Sequence, residues 1–174
     1  MKPQRQPVDK KGELRLEIAR VFAAPRDLVW QVWTEPEHIC RWWGPRGFTT
    51  RVTELEFEPG GRWRYLLSGT DGAEYPSVGE FREIVPGGRI VTTDEFDEGF
   101  ALPSPAELPS GIVMTVNFAD VAGEPGRTRV TLEIAHPTTE DRRKHEDLGV
   151  VAGWNSSLDR LEEYLGRLIC DQDT

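Results

Sequence analysis

The stretch Val29-Trp30-Gln31-Val32-Trp33-Thr34-Glu35-Pro36-Glu37-His38-Ile39-Cys40-Arg41-Trp42-Trp43-Gly44-Pro45 holds four of the chain's six tryptophans. Leu28, Val29, Val32 and Trp33 recur at helical spacing, and Pro25 suits the first turn, where a missing N–H costs nothing. Pro36 ends that helix and opens a second short one over Glu37–Trp42, with Gly44-Pro45 and Gly47 marking the exit. Trp63 lies downstream and Trp154 far away, on a C-terminal helix. An enclosed indole buries about 150–250 Å² and keeps one N–H to satisfy. So many rings in one segment suit the wall of a cavity as well as a core. Trp42 and Trp43, about 100° apart on a helix, predict one ring inward and one capping the surface.

Upstream, Leu14, Leu16, Ile18, Arg20 and Phe22 alternate with polar neighbours, which is the pattern of a half-buried strand. Arg20 is in phase with the apolar side and is expected at the strand's wet end, since an inward Arg would need a carboxylate or carbonyl partner. Residues 1–12, with Pro3, Pro7 and Gly12, read as a disordered tail, and 13–170 as one domain.

Downstream, short strands follow one another: Arg51–Glu58, Arg62–Leu67, Tyr75–Val85, Arg89–Phe96, Ile112–Ala119 and Arg127–His136. Pro59-Gly60-Gly61, Thr70-Asp71-Gly72 and Pro86-Gly87-Gly88 supply turns, so the strands form an antiparallel meander. Residues 97–110, with Pro103, Pro105 and Pro109, read as a long surface loop with the length of a lid. Thr138 is a candidate N-cap, with Asp141 three residues on. Val151, Trp154, Leu158, Leu161, Leu165 and Leu168 then make one apolar stripe on a single long helix. The order of elements gives an α+β helix-grip: a curved antiparallel sheet around a long C-terminal helix, with two short helices after the first strand.

Lys and Arg number 21 against 30 Asp and Glu, a formal charge of −9 at pH 7. That balance argues against nucleic acid and anionic membranes, which require a positive field. Cys40 and Cys170 fit no metal spacing and read as reduced thiols of a cytoplasmic protein. The first 13 residues lack the apolar run of a signal peptide, and no stretch has the ~20 apolar residues of a membrane span.

No nucleophile elbow, Cys–His pair or phosphate loop is present, so no catalytic residue, cofactor or metal is expected. His38 and His145 sit among charged neighbours and are expected to be exposed. His136 is in phase with Val130, Leu132 and Ile134 and is expected to point inward as a satisfied histidine. Glu54, Glu56 and Glu58 lie opposite Leu55 and Phe57, toward solvent. Asp94, in phase with Ile90 and Phe96, can reach the cavity, either as a reactive carboxylate or as the point where the sheet opens to water.

The aromatic set carries the functional signal. Trp33, Trp43, Trp63, Tyr65, Tyr75, Phe81, Phe96, Met114, Phe118, Trp154 and Leu158 are expected to line a cavity between sheet and helix, with Gly79 beneath it. Val29-Trp30, Glu35-Pro36-Glu37, Arg41-Trp42-Trp43-Gly44-Pro45 and Phe48-Thr49-Thr50 resemble the START-like (Bet v-like) helix-grip superfamily. Within it the similarity is to homologues of the heat-shock protein 90 ATPase activator. Glu58-Pro59-Gly60-Gly61-Arg62-Trp63, Asp71-Gly72, Tyr75-Pro76, Gly79-Glu80-Phe81 and Gly153-Trp154 with Leu158 and Leu161 extend it over roughly residues 14–168. The resemblance implies the fold and a hydrophobic cavity, without a fixed activity. The family's eukaryotic co-chaperones carry a further N-terminal domain, for which this length leaves no room.

These readings lead to a cytoplasmic binder of a small hydrophobic or aromatic molecule, acting as monomer or homodimer. A chaperone cofactor or stress-related interaction module and a polyketide cyclase-like or hydrolase-like enzyme are the alternatives.

Overall fold

The computed structural model describes residues 14–97, 99–100 and 108–173. The expected tail over 1–12 and most of the 97–110 loop, including Pro103 and Pro105, lie outside the described residues. The elements run β1 (Arg15–Phe22), α1 (Arg26–Thr34), α2 (Pro36–Trp42), β2 (Thr49–Leu55), β3 (Arg62–Ser68), β4 (Glu74–Val85), β5 (Arg89–Phe96), β6 (Ile112–Asp120), β7 (Thr128–Ala135), α3 (Thr139–Asp147) and α4 (Val150–Gln172). The strands form one seven-stranded sheet in the order β1-β7-β6-β5-β4-β3-β2. Every pairing is antiparallel. This is the α+β helix-grip anticipated from the meander and the apolar stripe.

The alternation works as expected. Leu16, Ile18 and Phe22 of β1, Val130, Leu132 and Ile134 of β7, and Ile112, Met114, Val116 and Phe118 of β6 are buried on the face toward the helices. Leu158, Leu161 and Leu165 of α4 close over them.

Four expectations are corrected. The first concerns β2, which begins at Thr49 and ends at Leu55 rather than spanning Arg51–Glu58. There the chain bulges between Val52 and Glu54 and then folds into a turn, with the Glu58 and Gly61 amides donating to the carbonyls of Glu56 and Glu58. The second is the single long helix, which is two. Thr138 caps α3 by accepting from the Asp141 amide at 3.0 Å, as anticipated, but Gly149 takes a left-handed φ of 82° and redirects the chain. Val151 therefore leaves the stripe and is 41% exposed.

The third is Arg20, which is not at a wet strand end. It points toward α4 and ion-pairs with Asp159, its Nη2 also reaching Asn155, so the partner an inward Arg requires is present. The fourth is Trp43, which follows the last residue of α2 with ψ of 135°, so the 100° helical offset does not apply. Trp42 is fully buried, its indole N–H donating to the Val32 carbonyl at 3.0 Å, while Trp43 is half-buried and faces the interior between sheet and α4.

Candidate functional site: an aromatic cleft between sheet and helix

Between α4 and strands β3, β4 and β5 the aromatic residues divide into two groups. Trp33 packs on Trp42 at 4.6 Å between ring centroids, edge-on to Phe118 at 5.5 Å, and stacks on Trp154 at 6.2 Å with planes 2° apart. Trp43 meets Tyr65 and Trp154 edge-on, each at 5.1 Å. These contacts fill the inner end. What remains among Trp33, Trp43, Trp63, Tyr65, Phe81 and Met114 is about 20 Å³, the room of roughly one water.

Beyond Trp43 and Trp63 lies a larger cleft of about 270 Å³. Its walls are Trp43, Trp63, Tyr75, Phe96 and Trp154, joined by Phe48, Leu67, Ser77 and Phe100 and, from the helix side, His145, Leu148, Gly149, Val150, Gly153 and Ser157. This is near the lower end of ligand-pocket volumes, which start around 300 Å³. Leu148, 38% exposed, stands at the mouth. Phe100 closes one side, edge-on to Tyr75 at 5.1 Å and to Phe96 at 4.6 Å.

The predicted lining residues thus separate by depth. Trp43, Trp63, Tyr75, Phe96 and Trp154 face the cleft. Trp33, Tyr65, Phe81 and Met114 border only the filled inner space, and Phe118 and Leu158 border neither; both are core. Side-chain alternation gives the face a residue points to, but not how far along the hollow it lies. Gly79 does not lie beneath open space. A Cβ there would stand 2.3 Å from Nε1 of Trp63 and 2.2 Å from the Thr93 carbonyl oxygen. Gly79 is the cross-strand partner of Trp63, and its missing side chain lets the indole lie on the sheet, donating to Thr92 Oγ1 at 2.7 Å.

The loop from Trp43 to Phe48 forms the rim opposite the sheet and is tied to α4. Arg160 Nη1 donates to the carbonyls of Trp43, Gly44, Pro45 and Phe48, the shortest at 2.7 Å to Gly44. The Arg46 amide donates to Ser156 Oγ at 2.9 Å, and its guanidinium pairs with Glu163. Sequence reasoning missed Arg160, whose signal was its place on the helix facing the Gly44-Pro45 turn.

A carboxylic acid and a histidine line the same cleft. Asp94 reaches it, as its phase with Ile90 and Phe96 suggested. Burial, helped by the neighbouring charge of Glu95, pushes its carboxyl up to about 7. His145, expected to be exposed, is instead only 6% exposed. It bonds His136 through Nδ1 at 2.9 Å, and His136 Nδ1 in turn lies 3.0 Å from the Leu14 carbonyl oxygen. The charged sequence around His145 hid an inward position on α3. Burial, then the neighbouring His136, lowers His145 to about 4. Burial is also the main cause of the lowered value of His136, which points inward as expected. His38 is half-buried rather than exposed, its Nδ1 lying 2.6 Å from the Tyr164 hydroxyl. Among the described residues, no group of three His, Cys, Asp or Glu side chains is placed to hold a metal, and no helix is long and apolar enough to cross a membrane.

The fold and the order of motifs agree with known proteins. A Mycobacterium smegmatis crystal structure aligns with 28% identity, covering 89% of this chain and 92% of that one, at a TM-score of 0.76. An Arthrobacter aurescens solution structure aligns with 26% identity over 90% and 88%, at 0.79. A Nitrosomonas europaea crystal structure aligns with 26% identity over 93% and 99%, at 0.74. No protein of curated function matches the sequence. The family model described as Activator of Hsp90 ATPase homolog 1-like protein matches residues 23–166, and the chain belongs to that family.

Proposed function

We propose that this protein binds a small hydrophobic or aromatic molecule in the cleft between the sheet and α4. The observation that supports this reading is the cleft itself, about 270 Å³ lined by Trp43, Trp63, Tyr75, Phe96 and Trp154 beside a filled inner end. Leu148, one of the three exposed large apolar side chains among the described residues, lines the cleft, and Val151 follows the lining residue Val150 in α4. An apolar rim around an aromatic hollow is what a partly desolvated ligand requires. Free Cys40 and Cys170 suit a reducing cytoplasm, where such a binder would work.

Asp94 and His145 support a second reading, acid–base chemistry on the bound molecule in the manner of a cyclase or hydrolase. Native mass spectrometry of protein from its own host tests the first reading: a co-purified mass that leaves on denaturation supports it. Release of a chemically altered product from that molecule would move the account to the second. An empty protein that also ignores added apolar probes would move it to a protein-interaction module.

A further inference from the structure

Resting on the cleft being a ligand site, we propose that it selects an aromatic alcohol, with the ligand's O–H donating to Nε2 of His145. The Leu14 backbone carbonyl can only accept a hydrogen bond. His136 Nδ1 lies 3.0 Å from the Leu14 oxygen, so that nitrogen carries a hydrogen. A neutral imidazole has one N–H, so His136 Nε2 is an acceptor. His145 Nδ1, 2.9 Å away, must donate to it. His145 Nε2 is then a bare lone pair on a residue that lines the cleft, with no hydrogen-bond partner among the described residues.

The neutral state on which this chain depends is held by burial, which lowers both histidines. The site therefore offers a fixed acceptor backed by two buried rings and a carbonyl, and the ligand must bring the proton. The rest of the lining narrows the class. Phe96 stands edge-on to the His145 ring at 6.0 Å, so the acceptor sits beside an aromatic surface. Asp94 lies two residues before Phe96 on the same strand face, and its carboxyl has no hydrogen-bond partner among the described residues. Asp94, lining the same cleft, offers an O–H in its acid form to a ligand oxygen, while the ligand's hydroxyl keeps its own hydrogen and shares it with His145 Nε2. A hydroxyl on a flat ring satisfies the acceptor and sets its ring beside Phe96. A carboxylate ligand has no proton to give His145 Nε2.

The test compares two probes with one ring system, 2-naphthol and 2-methoxynaphthalene, by tryptophan quenching at pH 7. One added hydrogen bond in a dry site predicts about a tenfold tighter dissociation constant for 2-naphthol. In His145→Leu that advantage should vanish, while the ether's affinity stays within about twofold. A second measurement needs no variant. A long-range proton–nitrogen spectrum of the wild type should show His145 protonated on Nδ1 and bare on Nε2, with Nε2 shifting on 2-naphthol addition but not with the ether. Equal affinity of the two probes, or an Nε2-protonated His145, overturns the proposal and leaves ligand binding standing. If neither probe binds, the ligand site itself is refuted, and this inference with it.

Discussion

Asp94 illustrates how one side chain ties stability to pH. Its carboxyl holds a proton up to about 7 in the fold against an ordinary 3.8, so its penalty is absent near pH 4, grows as pH rises between these values, and is complete above 7. Asp94→Asn should therefore stabilise the protein by about 1–2 kcal/mol at pH 8 and by almost nothing near pH 4, measured as thermal midpoints. His136 and His145 act in the opposite sense. Both are depressed from 6.5, so the unfolded chain takes up protons first and stability is lost as pH falls from about 6.5 toward 4. In Asp94→Asn that acid loss should be steeper than in the wild type, because the opposing trend is gone. Trp154 is half-buried against Trp33 and Trp43 rather than enclosed. Trp154→Ala should cost about 2–3 kcal/mol by chemical denaturation, under the 3–5 typical of an enclosed ring. Legibility at this scale followed phase. Asp94, His136 and Trp43 were placed inward by alternation or by composition. His145 was lost because its neighbours Lys144 and Glu146 disguise one inward position on a charged helix.

At the scale of elements, helices and strands were legible wherever period and punctuation agreed. Pro36 begins α2, and the apolar stripe runs from Trp154 to Leu168. What could not be read was the break between α3 and α4, because Leu148-Gly149 sits between two helical patterns and only the left-handed φ of Gly149 separates them. Two glycines make opposite predictions. Gly79→Leu should prevent folding, since a Cβ would enter the Trp63 ring and the Thr93 carbonyl. Gly153, on the cleft wall of α4, has open space around its Cβ position. Gly153→Leu should keep the fold and gain up to about 1 kcal/mol from helix propensity, measured by urea unfolding. The loop from Trp43 to Phe48 depends on Arg160. Arg160→Leu should cost about 2–3 kcal/mol and raise hydrogen exchange around residues 44–48 above that of the β-sheet, since a charged donor to part-buried carbonyls is lost.

Across the whole molecule, the helix-grip followed from one strand, two short helices, a meander and an amphipathic C-terminal segment, each carrying its own periodic signal. The hollow between them was anticipated from tryptophan number. Its limits were not, because whether Trp33, Tyr65 and Phe81 fill a space or border one depends on curvature, which no periodicity encodes. The rim was equally hidden, since Gly44, Gly149 and Gly153 show no chemistry in sequence and become a wall only when the fold brings them beside β3–β5. The hollow takes a ligand on the reading proposed above. The most direct test of that reading is titration of a neutral fluorescent aromatic, N-phenyl-1-naphthylamine, into wild type and Gly153→Leu, followed by tryptophan quenching and thermal midpoint. The account predicts micromolar binding to the wild type and a raised midpoint, with about 2.7 kcal/mol of stabilisation at 100 times the dissociation constant. It predicts neither effect in a folded Gly153→Leu. Equal binding by both proteins, or no quenching and no stabilisation in the wild type, would contradict it.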